Sequence, residues 1–310
     1  SVTAVEADGT GPNNTQAVTF QVVESKPRRF GFGLELSSIE GVQVSAFWLY
    51  RNFMGGAERF RVDAEISGIG GQTGGTDYTL GLNFERPAVY GPDTNFFLRG
   101  EISRLNEPDY LLDKASVEAG VSRKLSDALI VQSGLGLLTA REQTAARTRE
   151  YTLLTAPLSA TYERRDDPTS ASSGYYIDVD ATPFYDTTNV AVGGRIFTDA
   201  RGYYSLGEDD KITLAGRLRI GSLVGTSIEN APADFLFYSG GGGSVRGQPY
   251  NALAIESTIN GETVRTGGQS FVGAQLEARY SVTDDIAVVG FYDFGQISAS
   301  ATFTDDPQGH

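Results

Sequence analysis

Segment after segment of this chain alternates apolar and polar residues, and the polar side is charged. In "RFRVDAEIS" (59–67), Phe60, Val62, Ala64 and Ile66 fall on one side and Arg61, Asp63, Glu65 and Ser67 on the other. "DYTLGLNFE" sets Tyr78, Leu80, Leu82 and Phe84 against Asp77, Thr79, Asn83 and Glu85. The same rhythm runs through "GYYIDVDATP", "KITLAGRLRIG" and "FVGAQLEARYSV". A period of two means strands with one apolar and one polar face. A soluble β-sandwich shows that alternation as well as a membrane barrel does. Three features favour the barrel: the charge of the polar faces, segments of roughly 9–15 residues, and aromatics near segment ends. Tyr50 with Phe53, Phe96 with Phe97, Tyr175 with Tyr176, Phe184 with Tyr185, and Tyr203 with Tyr204 suit interfacial girdles.

Composition narrows the chemistry. The 310 residues include 38 glycines, 17 phenylalanines and 15 tyrosines, and no run approaches a transmembrane helix. With no cysteine there is neither a disulfide framework nor a thiolate metal site. The single histidine, His310, ends the chain, which argues against a histidine-based triad or metal centre. A formal charge of −14 disfavours nucleic acid as a partner. No cofactor, metal or catalytic residue is implied.

The pattern predicts an all-β chain with strands at roughly 30–37, 42–51, 58–68, 76–86, 95–105, 114–125, 128–140, 150–164, 174–185, 190–205, 210–224, 269–283 and 285–298. Residues 1–25 read differently: a loose "ADGTGPNNT" precedes one strand, "AVTFQVVES", and the basic "KPRR" follows. They are expected to be the end of a separate soluble domain, with the barrel occupying 26–310. Two connections stand out, a Pro/Ser/Gly turn at 164–174 and a long excursion at 225–268. A connection longer than about 15 residues in a compact protein, as the second is, usually carries function.

The excursion contains "FLFYSGGGGSVRGQPY" (235–250), in which Gly240, Gly241, Gly242 and Gly243 precede Ser244, Val245, Arg246 and Gly247. Glycine lets a backbone lie where a Cβ would clash. An arginine planted in a polar lumen can make a bidentate bond with a carboxylate, strengthened where water is excluded. The glycine run therefore reads as close packing of the loop on the wall, with Arg246 as its anchor. The alternative is a mobile surface loop with a solvated arginine.

"GGGGSVRGQPY" resembles the sixth-loop signature of the outer-membrane protein assembly superfamily, whose branches include BamA, TamA and the two-partner secretion transporters. Gln248 stands where that family carries an aromatic, and Tyr250 is the nearest candidate for that role. "GAQLEARYSVTDDIAVVGFYDFGQI" (273–297) is similar to the family's next two strands, and "ERRDDPTSASSGYYIDV" (163–179) to its periplasmic turn. The resemblance implies a transmembrane antiparallel barrel of sixteen strands preceded by periplasmic POTRA domains. Residues 1–25 would then be the C-terminal remnant of the last POTRA domain. About thirteen strands are readable here, and the family's C-terminal aromatic has no match, so the barrel is expected to lack its last strands. The resemblance also implies that Arg246 meets a wall carboxylate, with Glu277 and Asp293 as candidates and Arg279 beside Glu277. The short N-terminal tail before "PRRFGFGLELSS" points to the TamA branch.

As the resemblance implies, the function is insertion, translocation and assembly of other outer-membrane proteins, autotransporters among them, without covalent chemistry. The first strand is the working edge: Phe30, Gly31, Phe32, Gly33 and Leu34 form a lateral seam, with the glycines on the lumen face. A client strand would pair there by β-augmentation. The two glycines are equally explained as relief of crowding. Implied partners are unfolded outer-membrane clients, outer-membrane lipids and a periplasm-spanning, inner-membrane-anchored protein reached through the POTRA domains. A passive porin-like channel, a two-partner-secretion polypeptide channel, a barrel enzyme and a soluble β-rich binding module are the competing classes. Arg61, Asp63, Glu65, Arg217 and Arg219 are candidates for a polypeptide path, or simply solvated lumen wall.

Overall fold

The computed structural model describes residues 2–6, 9, 15–23, 26–207, 211–259, 262–283, 286–302, 308 and 309; His310 lies outside them. Beyond Lys26 the alternating segments form one antiparallel sheet. In chain order its strands are β3 (Arg28–Ser37), β4 (Gly41–Arg51), β5 (Arg59–Ile69), β6 (Asp77–Arg86), β7 (Thr94–Asn106), β8 (Leu111–Lys124) and β9 (Leu129–Gln143). They continue as β10 (Thr148–Thr155), β11 (Leu158–Glu163), β12 (Gly174–Asp186), β13 (Ala191–Leu206) and β14 (Ile212–Val224), and close with β17 (Ser270–Ser281), β18 (Ala287–Ser298) and β19 (Gln308–Gly309). Sequence neighbours are spatial neighbours throughout, and β14 pairs with β17 across the long excursion. Among the described residues, β3 and β19 end the sheet.

The expected single strand at 150–164 is two strands in one lane. β10 and β11 both pair with β9 and β12 in continuous register, interrupted at Pro157. Proline brings no N–H to the ladder. Gly134 N still donates to the Pro157 carbonyl at 2.9 Å, so the lane keeps its course. Counting that lane once gives the thirteen long strands expected. The excursion is not one loop but contains 3-10 turns at Ile228–Asn230 and Ala233–Phe235 and a hairpin of β15 (Ile255–Ile259) and β16 (Glu262–Thr266). Near the N-terminus, β1 (Val2–Glu6) pairs with β2 (Val18–Val22), adding a strand where the sequence suggested none; the turn between falls largely outside the described residues.

The outer face is apolar, with Phe32 85%, Leu135 73% and Leu276 61% exposed among many others. The aromatic pairs need correction. Trp48, Tyr50, Phe53 and Phe60 form a continuous outer cluster, with ring centroids 5.1–6.1 Å apart. Of the adjacent pairs, however, Phe97 and Phe184 turn inward and are buried, because neighbours on a strand point to opposite faces.

The core sits inside the barrel at one end. Leu112, Tyr151, Leu153, Phe184, Leu223, Phe271 and Ile297 lie at the ends of their strands that border the excursion, and they enclose Phe235, Leu236, Phe237, Leu253 and Ile255 of the excursion itself. Phe237 packs against wall rings Phe197 and Phe271 at 6.2 Å from each, with interplanar angles of 16° and 14°, and those two rings lie 6.4 Å from one another. Residues 231–255 thus fold inward and fill that half of the lumen. The other half is lined with charge: Arg61 bonds Asp63, and Asp199 accepts from both Arg201 and Arg217. Two of Arg219's nitrogens have no hydrogen-bond partner among the described residues, and its guanidinium lies 5.5 Å from the Phe271 ring.

Candidate functional site

The backbone before Arg246 is a compact turn. Ser239 and Leu253 bond each other's main chains, which brings the two limbs of the turn together. Gly240, Gly241 and Gly247 have φ of +112°, +87° and +88°, a region that other residues seldom occupy. Ser244 Oγ accepts from Gly240 N at 2.7 Å and donates to Gly240 O at 3.0 Å, closing the run on itself. The close-packing reading of the glycine run is therefore corrected. Nothing lies within 4 Å of a Cβ built on Gly242, Gly243 or Gly247, and Gly240 is crowded only by its own loop at Pro249 and Ala252. The glycines serve the turn.

The wall supplies the close approach. A Cβ on Gly295 of β18 would stand 2.6 Å from Val245 Cγ2 and 2.8 Å from Ser239 Oγ. Gly273 pairs directly with Gly295, and the ring of Phe271 covers it, so the loop seats on Gly295 alone of the two. Val245 fills that seat and is 5% exposed. Gln275 Nε2 donates to Ser244 O at 2.8 Å, fixing the loop from the adjacent strand.

Val245 in its seat points Arg246 at two acids. Arg246 Nε donates to Asp293 Oδ2 and Nη2 to Asp293 Oδ1, both at 2.7 Å, and the Arg246 backbone N–H reaches Asp293 Oδ2 at 2.9 Å. Nη1 donates to Glu277 Oε1 at 2.6 Å, while Arg279 donates to the other Glu277 oxygen at 3.0 and 2.8 Å. The Asp293 side chain is only 2% exposed. Its hydrogen bonds hold the Arg246 guanidinium above its usual range, so the cation persists at any working pH. The Phe291 ring lies 3.9 Å from Arg246 Cζ and covers the remaining face.

Phe291 is a residue that sequence reasoning missed. It sits two positions before Asp293 on the same lumen face, and that spacing was the available signal. Tyr250 does not take the stacking role expected of it. Its hydroxyl donates to Glu107 Oε1 at 3.1 Å in the β7–β8 turn, and Asn251 Nδ2 approaches Glu107 Oε2 at 3.5 Å. Burial, then the nearby charge of Asp77, pushes the Glu107 carboxyl up to about 7.

The first-strand residues lie elsewhere. Phe30, Phe32 and Leu34 face outward and Gly31 and Gly33 inward, across β4 from Phe47 and Ser45. A Cβ on Gly31 would fall 2.1 Å from the Phe47 ring, over which Arg61 stacks at 4.2 Å. Relief of crowding is thus a sufficient reason for Gly31. The structure brings Arg246, Glu277 and Asp293 together and leaves residues 30–34 at the sheet edge.

Charged side chains here lock a loop to a wall, and nothing in the set transfers atoms. Comparison with known proteins agrees with the fold. No curated protein matches the sequence. In three dimensions the chain is similar to BamA from Haemophilus ducreyi lacking POTRA domains 1-3, with a TM-score of 0.79 at 12% identity over 96% of this chain and 62% of that one. It is also similar to CdiB from Acinetobacter baumannii, with a TM-score of 0.64 at 11% identity over 100% of this chain and 57% of that one. CdiB from Escherichia coli gives 0.59 at 12% identity, over 98% and 58%. The chain therefore spans about three-fifths of the length of these structures. Residues 52–309 match the sequence profile of the Omp85 superfamily domain. With that match over most of its length, the chain belongs to the Omp85 superfamily, whose barrels reside in the bacterial outer membrane.

Proposed function

We propose that this barrel inserts and assembles client β-barrels, in the manner of the TamA branch, at the free edge of β3. One observation carries the reading. Half of the lumen is filled by residues 231–255 with a hydrophobic core, so a client's route lies at the edge of the wall rather than along the axis. A membrane strand has to satisfy its backbone within the bilayer, and an edge strand offers the needed N–H and C=O groups. β3 pairs on one side with β4 and, among the described residues, with nothing on the other. The Arg246 lock lies on β17 and β18, near the opposite end of the sheet, and supports that wall rather than touching the client. Residues 1–25 act as the tail of a POTRA domain, through which a periplasm-spanning partner is reached.

The test is client folding in liposomes. An unfolded autotransporter barrel should reach its heat-modifiable form faster with the wild-type protein than with empty liposomes. Arg246→Ala should lose that acceleration, and Arg246→Asp with Asp293→Arg should recover part of it. Folding no faster than in empty liposomes, together with steady ion conduction by the wild type, would instead favour a channel of the porin or two-partner-secretion kind.

A further inference from the structure

The stretch "APADFLFYSGGGGSVRG" (231–247) carries two charged side chains, Asp234 and Arg246. Arg246 is locked to β17 and β18. Asp234 lies in the 3-10 turn Ala233–Phe235, between side chains that are both buried. Its Oδ2 accepts from Lys114 Nζ of β8 at 3.0 Å, and Lys114 also reaches Glu101 of β7 at 3.2 Å. Both members are largely enclosed, with Lys114 17% and Asp234 16% exposed.

Around this pair the backbone of the same limb is tied down by wall side chains, most of them charged. Ala233 N donates to Glu142 Oε2 at 2.7 Å, Tyr151 Oη to Ala231 O at 3.1 Å and Arg195 Nε to Phe235 O at 3.2 Å. Arg147 and Arg149 both donate to the Glu229 carbonyl. The excursion is thus held at two places by ion pairs of reversed polarity: loop cation to wall acids at β17–β18, and loop acid to a wall cation at β8. The rings that fill the lumen, Phe235 and Phe237, lie between these two locks in sequence.

We propose that the Lys114–Asp234 pair is a second lock, which keeps residues 226–238 seated as a plug in the barrel. Lys114 is a positioning residue that acts through Asp234. Buried charges are tolerated only when paired, so neutralising Lys114 strands the enclosed Asp234 and drives the limb toward water, while neutralising Asp234 leaves Lys114 to Glu101 and frees the limb from β8. Removing both should disturb the plug less than removing one. The inference concerns closure of the lumen and stands or falls apart from client assembly.

Planar-bilayer conductance of the reconstituted protein tests it, with heat-modifiability as the check on folding. Lys114→Met and Asp234→Asn should each raise mean conductance several-fold over a quiet wild type. The double variant should leak less than either single one, and Lys114→Arg should stay closed. Since the chain has no cysteine, Lys114→Cys with Asp234→Cys gives a unique thiol pair. Bridging it with a bifunctional thiol reagent should return a leaky barrel to the closed state. Wild-type conductance in a folded Lys114→Met variant overturns the proposal. So does a Lys114→Arg variant that leaks as much as Lys114→Met, or a bridged pair that stays open.

Discussion

Arg246 holds Asp293 in a place where an unpaired carboxylate is poorly tolerated, and the residue-scale expectations follow from that burial. Arg246→Ala should destabilise the folded barrel by about 3–5 kcal/mol, as removal of one partner of a buried pair does. Arg246→Lys should fall in between, since an ammonium keeps the charge and loses the fork that spans both acids. The temperature at which the heat-modifiable form is lost would measure both. Glu107 makes a separate prediction. Its carboxyl is raised from 4.5 to about 7, so the protonated form fits the site best. That contribution is complete below about pH 4.5 and is lost as pH rises through 7. Glu107→Gln should match the wild type near pH 4.5. At pH 8 it should be more stable, by about 1–2 kcal/mol once screening at this partly exposed group is allowed for. Equal pH dependence in thermal melts of the two proteins would contradict this. The Arg246 cluster was legible because loop and strands each carry a local signature. Glu107 and Lys114–Asp234 were not, because their meeting depends on which elements face each other across the lumen, whereas Phe291 shares a strand face with Asp293.

At the scale of elements, the Gly295 seat is the sharpest prediction. Gly295→Val would drive side-chain atoms into Val245 and Ser239. Overpacking of this kind costs about 1–3 kcal/mol, and here it should expose residues 240–250 to added protease while the strands stay protected. Protease resistance equal to that of the wild type would show that the loop does not rest on Gly295. Strand positions were readable from the period of two, since lipid on one side and water or loop on the other keep the register strict. What the alternation could not show was the break at Pro157, where the pairing survives without the N–H. Nor did the glycine run declare its purpose: glycines for positive φ and glycines for close approach look the same in sequence. Around Arg246 the first kind is Gly240, Gly241 and Gly247 in the loop, and the second is Gly295 in the wall.

At the scale of the molecule, one barrel holds two kinds of interior. Toward β3's N-terminal end the lumen is charged, and toward the excursion it is a hydrophobic core that encloses a few partnered charges. Stretches such as "YLLDKAS" and "YTLLTAP", in which the alternation lapses into consecutive apolar residues, mark the strand ends that face the plug. That lapse was a usable sign that something apolar would fill the lumen, and the charged faces elsewhere drew attention from it. Under the proposed function, the edge of the wall, not its axis, is where a client is met. Site-specific cross-linking measures this most directly, in a chain with no cysteine of its own. Single cysteines at positions 31–35 of β3, and a control at Ala115 of the central strand β8, would be probed against cysteines along the terminal strand of a client stalled during assembly. The account predicts disulfides in one antiparallel register along β3 and none at Ala115. Equal cross-linking at both strands, or none at β3 while the client still folds at the accelerated rate, would contradict it.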